Sequence, residues 1–374
     1  MKTKVVEFIG SIQDGGAETL VKDYMLMLDK EKFDVTTVII RTSPQSANHN
    51  ILKKAGARVI PIFRYNFLPI KIIQKVNYSW LLPMRLKKIL DQERPDVLHI
   101  HLSLIHYVQK IAHHFPNLRI FYTCHNEPKL MLAGKNERQA AAAKKLIKSH
   151  GLTAIALHDD MKKEINEMLD VRNTVVINNG IDMQRFQSVQ KSKNEIRREL
   201  GIPDGAFIIG HVGRFTKQKN QMFLVDILSE LRQRGVDAFL LLVGSGENKD
   251  EVQNRLVKSG CEGYYSILSH RTDIAEIMHA MDVFVFPSEF EGLGIVMVEA
   301  QAADLRCIAS DKVPRAAFIT EKAIPISLKD PVMKWCDVIL DDTVKGPYKR
   351  PIDDFDIRKE IKKLEKLYEG NYDV

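Results

Sequence analysis

Two glutamates eight positions apart, Glu291 and Glu299, are notable for their surroundings. The run from Asp282 to Ser288 reads as a buried strand, Gly292 and Gly294 punctuate a loop, and Ile295 onwards has helical composition. A carboxylate two turns along such a helix can accept both hydroxyls of a ribose. The backbone amides of Leu293, Gly294 and Ile295, where the helix starts, suit a phosphate. A second constellation comes earlier, in Val212-Gly213-Arg214-Phe215-Thr216-Lys217-Gln218-Lys219-Asn220, again between a strand and a helix. Arg214 and Lys219 can converge there on one diphosphate. Charge-assisted contacts of this kind contribute roughly 1.5 to 3 kcal/mol each and would neutralise a leaving phosphate. Taken alone, the two cations read as solvated loop residues, and two glutamates at this spacing are often surface residues. The glycines between the glutamates and the strand before them favour a site.

These loops need a scaffold, and the chain supplies one by repetition. Val5 to Ile9 is apolar, Ser11 to Gly16 is turn-like, and Leu20, Val21, Tyr24, Met25 and Leu28 follow at helical spacing. In the first loop Gly15 and Gly16 let the backbone approach a phosphate or sugar; the alternative is a tight turn that only needs positive φ. The G-x-G-x-x-G dinucleotide fingerprint is absent, and Asp34 precedes the second strand instead of ending it. Further short apolar runs begin at Val35, Arg58, Val97, Ile120, Ala154 and Val175. After a polar stretch they resume at Phe207, Phe239, Tyr264, Val283 and Cys307. Strands separated by helix-sized intervals predict α/β architecture with parallel sheets. The restart at Phe207 predicts two domains, 1–182 and 183–354, with a helix over 355–374. Two such sheets would face a central cleft in which a nucleotide binds. Asp354-Phe355-Asp356 is formally a D-x-D metal pattern but reads better as a helix cap or turn.

With 374 residues, 45% hydrophobic and 28% charged, the chain is globular and long enough for two domains. Four scattered cysteines fit reduced thiols. No run reaches the length of a membrane span, and Gln13 and Asp14 interrupt any leader, so the expectation is a cytoplasmic protein. The net charge of +7 is unevenly placed: positions 1–180 hold 27 basic and 17 acidic residues, and 181–374 hold 28 and 31. Val35 to Leu90 has no acidic residue, and its cations between Arg41 and Lys88 are interleaved with Phe63, Tyr65, Phe67, Tyr78 and Trp80. That mixture suits an anionic membrane surface. A solvated basic face over an apolar core is the plainer alternative, and a nucleic-acid groove is a third that the expected partners leave out.

The ordered set of motifs resembles the retaining GT-B glycosyltransferases of family 4, whose C-terminal domain carries G-R-x-x-x-x-K and E-x7-E. Here these stand as Gly213-Arg214 with Lys219, and Glu291 with Glu299. Gly15-Gly16-Ala17-Glu18, Asp96 to His101, Thr123-Cys124-His125, Asn179 to Asp182 and Pro287-Ser288 fall in the family's order. Glu299 to Ala302, Ser310-Asp311 and Ile326 to Leu328 look most like the EpsF-like subgroup of exopolysaccharide and capsule synthesis. The resemblance implies two Rossmann-like domains and transfer of a hexose or N-acetylhexosamine from a nucleotide sugar, with UDP favoured. The acceptor would be lipid-linked or a growing saccharide, and the site would be peripheral at the inner membrane face. It implies that Gly16 approaches the donor, Arg214 and Lys219 hold the diphosphate, and Glu299 holds the ribose. Glu291 would face the donor sugar and His125 contact it, although by itself a strand-end histidine reads as structural. No metal or other cofactor is expected, because cations meet the phosphates. An epimerase of the same fold, or a non-catalytic nucleotide-binding scaffold, is the alternative. One departure stands out: Ala303-Asp304-Leu305-Arg306 replaces the family's A-G-L-P turn.

Overall fold

A computed structural model describes residues 2–44, 46–63, 71–349 and 351–372, with 71–79 described as backbone alone. The chain divides into two compact units, one of Met1–Asn179 with Arg358–Val374 and the other of Gly180–Ile357. The first unit contains β1 (Thr3–Ile9), β2 (Phe33–Arg41), β3 (Arg58–Phe63), β4 (Val97–His101), β5 (Arg119–Thr123), β6 (Thr153–Ala156) and β7 (Val175–Val176). The second contains β8 (Phe207–Val212), β9 (Ala238–Val243), β10 (Tyr265–Leu268), β11 (Val283–Phe286), β12 (Arg306–Ser310) and β13 (Ala323–Ile326). The sheet orders are 3-2-1-4-5-6-7 and 10-9-8-11-12-13, and every pairing is parallel. Both units are therefore Rossmann-like. Helices cover both faces, which is why the central strands are apolar at consecutive positions: all six residues of β9 are buried.

Each sheet reverses its winding once, between β1 and β4 in the first unit and between β8 and β11 in the second. In open parallel sheets the carboxyl ends of the strands at such a reversal are where ligands are held. The loops singled out above follow β1, β8 and β11, so sequence order alone carries them to those ends.

Every strand expected from the apolar runs is present, and one more, β13, was not read from the sequence. Its Ala-Ile-Pro-Ile carries Pro325, which cannot donate to a ladder and is tolerated because β13 is the sheet edge. The terminal helix Ile357–Tyr368, expected to follow the second domain as a piece of its own, folds into the first unit. Its Ile361, Leu364, Leu367 and Tyr368 are buried there, and Glu360 accepts the Asn178 amide at 2.7 Å. The outgoing and returning chains are zipped together as they pass: Ile181 N–H donates to Phe355 O at 2.8 Å and Ile357 N–H to Ile181 O at 3.0 Å. A Cβ at Gly180 would lie 2.4 Å from Ile357 Cα, so the glycine of the Asn179-Gly180-Ile181-Asp182 motif is required by this close approach. Asp354 lies in a 3-10 turn, Ile352–Phe355, ahead of the terminal helix.

At the departure from A-G-L-P, Asp304 takes the left-handed conformation at φ 60 that a glycine would favour. Arg306 has a packing role that proline could not fill. Its guanidinium donates to the Val338, Asp341 and Val344 carbonyls, two of which end the helix Val332–Leu340.

Within the basic stretch, Arg64, Tyr65 and Phe67 lie outside the described residues, as do the side chains of Lys71, Lys75 and Tyr78. Two of the described cations pair with acids just beyond the acid-free run, and a third is held within it. Arg58 pairs with Glu93 at 2.7 Å, Lys87 pairs with Asp91 at 2.8 Å, and Arg85 donates to Ile62 O while its guanidinium stacks on Phe63. On the helix α3 (Lys71–Glu93), Trp80 and Met84 lie one turn apart and are 57% and 56% exposed. Among the described residues no helix is long and apolar enough to cross a membrane.

Candidate functional site

In the second unit β8 runs into the loop that ends in a 3-10 turn, Lys217–Lys219, and β11 runs into the loop ahead of the helix Ile295–Ala302. Because β8 and β11 are neighbours, the two loops meet. Glu289 N–H donates to Gln218 O at 2.8 Å and the Gln218 amide donates to Phe290 O at 2.9 Å, a reciprocal tie that fixes their spacing. Across that tie Lys219 Nζ donates to Glu291 Oε1 at 2.6 Å, with the lysine ammonium 4.7 Å from the Phe286 ring centroid. Both side chains are largely buried, at 17% and 7% exposed, so the pair works in a medium where charge interactions are stronger than in water. Two residues expected to serve different parts of one ligand thus hold each other.

Arg214 is exposed and Glu299 half-buried. Leu293 is buried and Gly294 caps the helix at φ +81, where an added Cβ would come 3.2 Å from the Phe286 ring. Only glycine combines that conformation with that contact. Met297 N–H donates to Gly294 O at 2.8 Å, and the Ile295 and Val296 amides ahead of it lie at the helix start, where an intrahelical acceptor is lacking.

Five residues near this site carried no role in the sequence reading. Gly244 and Gly246 follow β9, and a Cβ on either would strike the backbone of Gly213 or Phe215 within 2.4 Å. They let a third loop press on the cation loop, with Phe215 N–H bonded to Ser245 O at 2.9 Å. His211, in β8, donates from Nδ1 to Val285 O at 2.9 Å and presents Nε2 to the Gln221 amide, which also bonds Arg214 O. Burial, with Lys219 nearby, lowers the His211 pKa to about 4 against the opposing pull of the Val285 carbonyl, so the ring is neutral. Ser288 Oγ and Gln221 Oε1 are buried with no hydrogen-bond partner. The G-S-G triplet after a strand and the Pro287-Ser288 motif were the signals in the sequence for these.

In the first unit Gly15 is extended at φ −98 and Gly16 starts the helix α1 (Gly16–Met27), so the loop does not owe Gly15 to a positive φ. Asp14 accepts from Ser46 Oγ and Asn48 N–H, and Asn48 donates to Gln13 O, tying this loop to the start of the helix α2 (Ala47–Lys54). His125 follows β5 and is separated from the β1 loop by β4. Sequence reasoning missed what joins them. His125 Nε2 is 2.8 Å from His101 Nδ1, and His101 Nε2 is 2.7 Å from Glu7 Oε2. Tyr368, from the terminal helix, donates to Glu7 Oε1 at 2.7 Å and contacts His99 Nδ1, and His99 Nε2 meets Thr123 Oγ1. Glu7, His99 and His101 are fully buried. Burial alone would raise the Glu7 pKa, but His99 and the His101 hydrogen bond hold it far below the usual carboxylate range. Burial and His99 lower His101 to about 4, and burial with His101 and His99 nearby lowers His125 well below the usual value. Glu7, His99 and His101 are spaced like metal ligands, within 4.8 Å, yet their facing atoms are engaged in hydrogen bonds of the cluster.

The comparisons with known proteins address the same two units. Glycosyltransferase Family 4 matches residues 14–185, and Glycosyl transferases group 1 matches residues 192–324. The chain is a GT-B glycosyltransferase of group 1/family 4. This glycosyltransferase is 27% identical to the "Putative glycosyltransferase EpsF" of Bacillus subtilis over 359 residues, 93% of this chain and 89% of that one. It is 24% identical to an Escherichia coli "UDP-Gal:alpha-D-GlcNAc-diphosphoundecaprenol alpha-1,3-galactosyltransferase", covering 91% and 90%. Anabaena Alr3699/HepE, solved in complex with UDP and glucose, shares the glycosyltransferase's fold with a TM-score of 0.78 at 18% identity, covering 98% of this chain and all of that one.

Proposed function

We propose that this glycosyltransferase moves a hexose or N-acetylhexosamine, with retention, from a UDP-sugar to a lipid-linked or growing saccharide acceptor in cell-surface polysaccharide synthesis. The observation that carries the reading is the Lys219–Glu291 pair at the joined ends of β8 and β11, with Arg214 on the same loop. Breaking the bond to a sugar's anomeric carbon leaves negative charge on the diphosphate. The Lys219 ammonium and the Arg214 guanidinium meet that charge without a metal. Glu291, released from Lys219 as the lysine turns to phosphate, accepts from hydroxyls of the donor sugar. Glu299 accepts from the ribose, the backbone amides of Leu293, Gly294 and Ile295 at the helix start take phosphate oxygens, Gly16 approaches the donor and His125 meets the transferred sugar. No carboxylate is assigned as a covalent nucleophile: same-face attack, with the leaving phosphate taking the acceptor proton, gives retention. The activity of the E. coli relative, a UDP-Gal:alpha-D-GlcNAc-diphosphoundecaprenol alpha-1,3-galactosyltransferase, supports both the UDP donor and a diphospholipid-linked acceptor.

The test is incubation with UDP-sugars and a synthetic diphospholipid-linked monosaccharide, with and without EDTA, read by mass spectrometry and anomeric NMR. We expect an extended lipid-linked product of the donor's anomeric configuration, with no loss in EDTA. Isomerised donor in the absence of acceptor would replace this reading with an epimerase. Nucleotide binding without turnover of any donor would replace it with a scaffold.

We further propose that the protein meets the inner membrane face through α3, where exposed Trp80 and Met84 stand beside Lys87 and Lys88. The chain has two tryptophans, and Trp335 is fully buried, so a change in emission on mixing with vesicles reports Trp80. A blue shift with phosphatidylglycerol vesicles is expected, weakening as salt rises. Trp80→Ala should lower vesicle sedimentation by about 10-fold or more, since burying a large side chain contributes roughly 1.5 to 3 kcal/mol. Unshifted emission and salt-independent sedimentation would remove the idea.

A further inference from the structure

The buried chain around Glu7 has a direction that can be worked out atom by atom. Glu7 is ionised and can only accept. Tyr368 spends its one proton on Glu7 Oε1, so the tyrosine oxygen accepts from His99 Nδ1–H, while His99 Nε2 meets the Thr123 hydroxyl. On the other side His101 donates from Nε2 to Glu7 Oε2, so a neutral His101 has only a lone pair at Nδ1. That lone pair faces His125 Nε2 at 2.8 Å, so His125 carries its proton there. One carboxylate thus orders the protons from Tyr368 through His101 to His125. The end of the chain is His125 Nδ1, which is buried, holds a lone pair and has no hydrogen-bond partner. The arrangement is satisfied everywhere except at the atom that ends it. A buried imidazole nitrogen left unpaired carries a desolvation cost that a hydroxyl donor would recover.

We propose that Glu7, acting through His101, holds His125 as the Nε2–H tautomer and so presents its Nδ1 as a hydrogen-bond acceptor to a hydroxyl of the bound saccharide. Glu7 and His101 are then positioning residues of transfer, and Tyr368 secures the carboxylate from the terminal helix. The inference rests on the reading that His125 faces the transferred sugar.

The tautomer is directly measurable. In the full chain labelled with 15N-histidine, long-range proton–nitrogen correlation at neutral pH should show His125 and His101 protonated at Nε2. A wild-type His125 protonated at Nδ1, or at both nitrogens, would overturn the proposal without any variant. In His101→Gln the amide reaches the position of the imidazole Nε2 and still donates to Glu7, but it offers nothing where Nδ1 stood. Signals from both His125 tautomers are expected, with kcat/KM for transfer lowered roughly 10- to 100-fold. A single unchanged His125 tautomer in this variant, or a mixed tautomer with full activity, would defeat the proposal. His125→Ala separates the two claims: full transfer by that variant removes the sugar-facing reading of His125 while leaving the tautomer result standing.

Discussion

Lys219→Ala is expected to lower kcat/KM for sugar transfer by roughly 100- to 1,000-fold, the effect of removing one donor that stabilises developing negative charge. Nucleoside diphosphate affinity, read by calorimetry, should fall less, by about 10- to 100-fold, because a charge-assisted contact of roughly 1.5 to 3 kcal/mol is lost in the ground state. Glu291→Gln separates ligand binding from turnover. Glu291 holds Lys219 at 2.6 Å and so competes with phosphate for the ammonium. Removing its charge should tighten UDP binding while transfer still falls. Lys217→Ala, an exposed neighbour in the same turn, is the control and should change neither. UDP binding that weakens equally in Glu291→Gln and Lys219→Ala would mean that the pair acts only as a structural strut.

Acid should unfold this protein between about pH 6.5 and pH 4. His101 and His211 are both fully buried, one in each unit, and each has its pKa lowered to about 4, chiefly by burial. Below the unfolded-state value of about 6.5 the unfolded chain takes up a proton at each position that the folded chain refuses until about pH 4. Each histidine therefore removes stability at up to about 1.4 kcal/mol per pH unit across that window, and the loss is complete once pH passes below the folded value. Glu7, whose folded pKa is depressed, contributes stability that is fully present above its unfolded value of about 4.5 and is lost only as pH falls below it. It does not blunt the histidine slope. Urea midpoints measured at pH 7, 6, 5 and 4.5 should fall steadily, and His211→Gln should flatten the decline of the second unit's transition. Midpoints independent of pH over that range would show that the two imidazoles are protonated without cost in the folded state.

How much of this was legible beforehand depends on range. The parallel strands announced themselves because both faces are covered, so their apolar runs are continuous and short. β13 escaped because Pro325 interrupts it, and only its place at the sheet edge makes that proline harmless. The cation loop and the glycine-bounded glutamate loop were readable since each is contiguous in sequence and sits between a strand and a helix. Their pairing was not, because Lys219 and Glu291 are 72 positions apart and meet only through the adjacency of β8 and β11.

By itself, the sequence determined two parallel α/β units, the loops at their reversing strand ends, the membership in the GT-B glycosyltransferases and most of the candidate site. Tertiary structure decided where the chain returns and what stands behind His125. Glu7 reads as a stray polar residue in a strand, and Tyr368 as one aromatic in a charged amphipathic helix 361 positions later. Parallel register sets Glu7 opposite His99, and the terminal helix then brings the Tyr368 hydroxyl to the carboxylate. A buried carboxylate must find its donors wherever the fold can bring them, and no local pattern in the chain encodes a partner supplied from its far end.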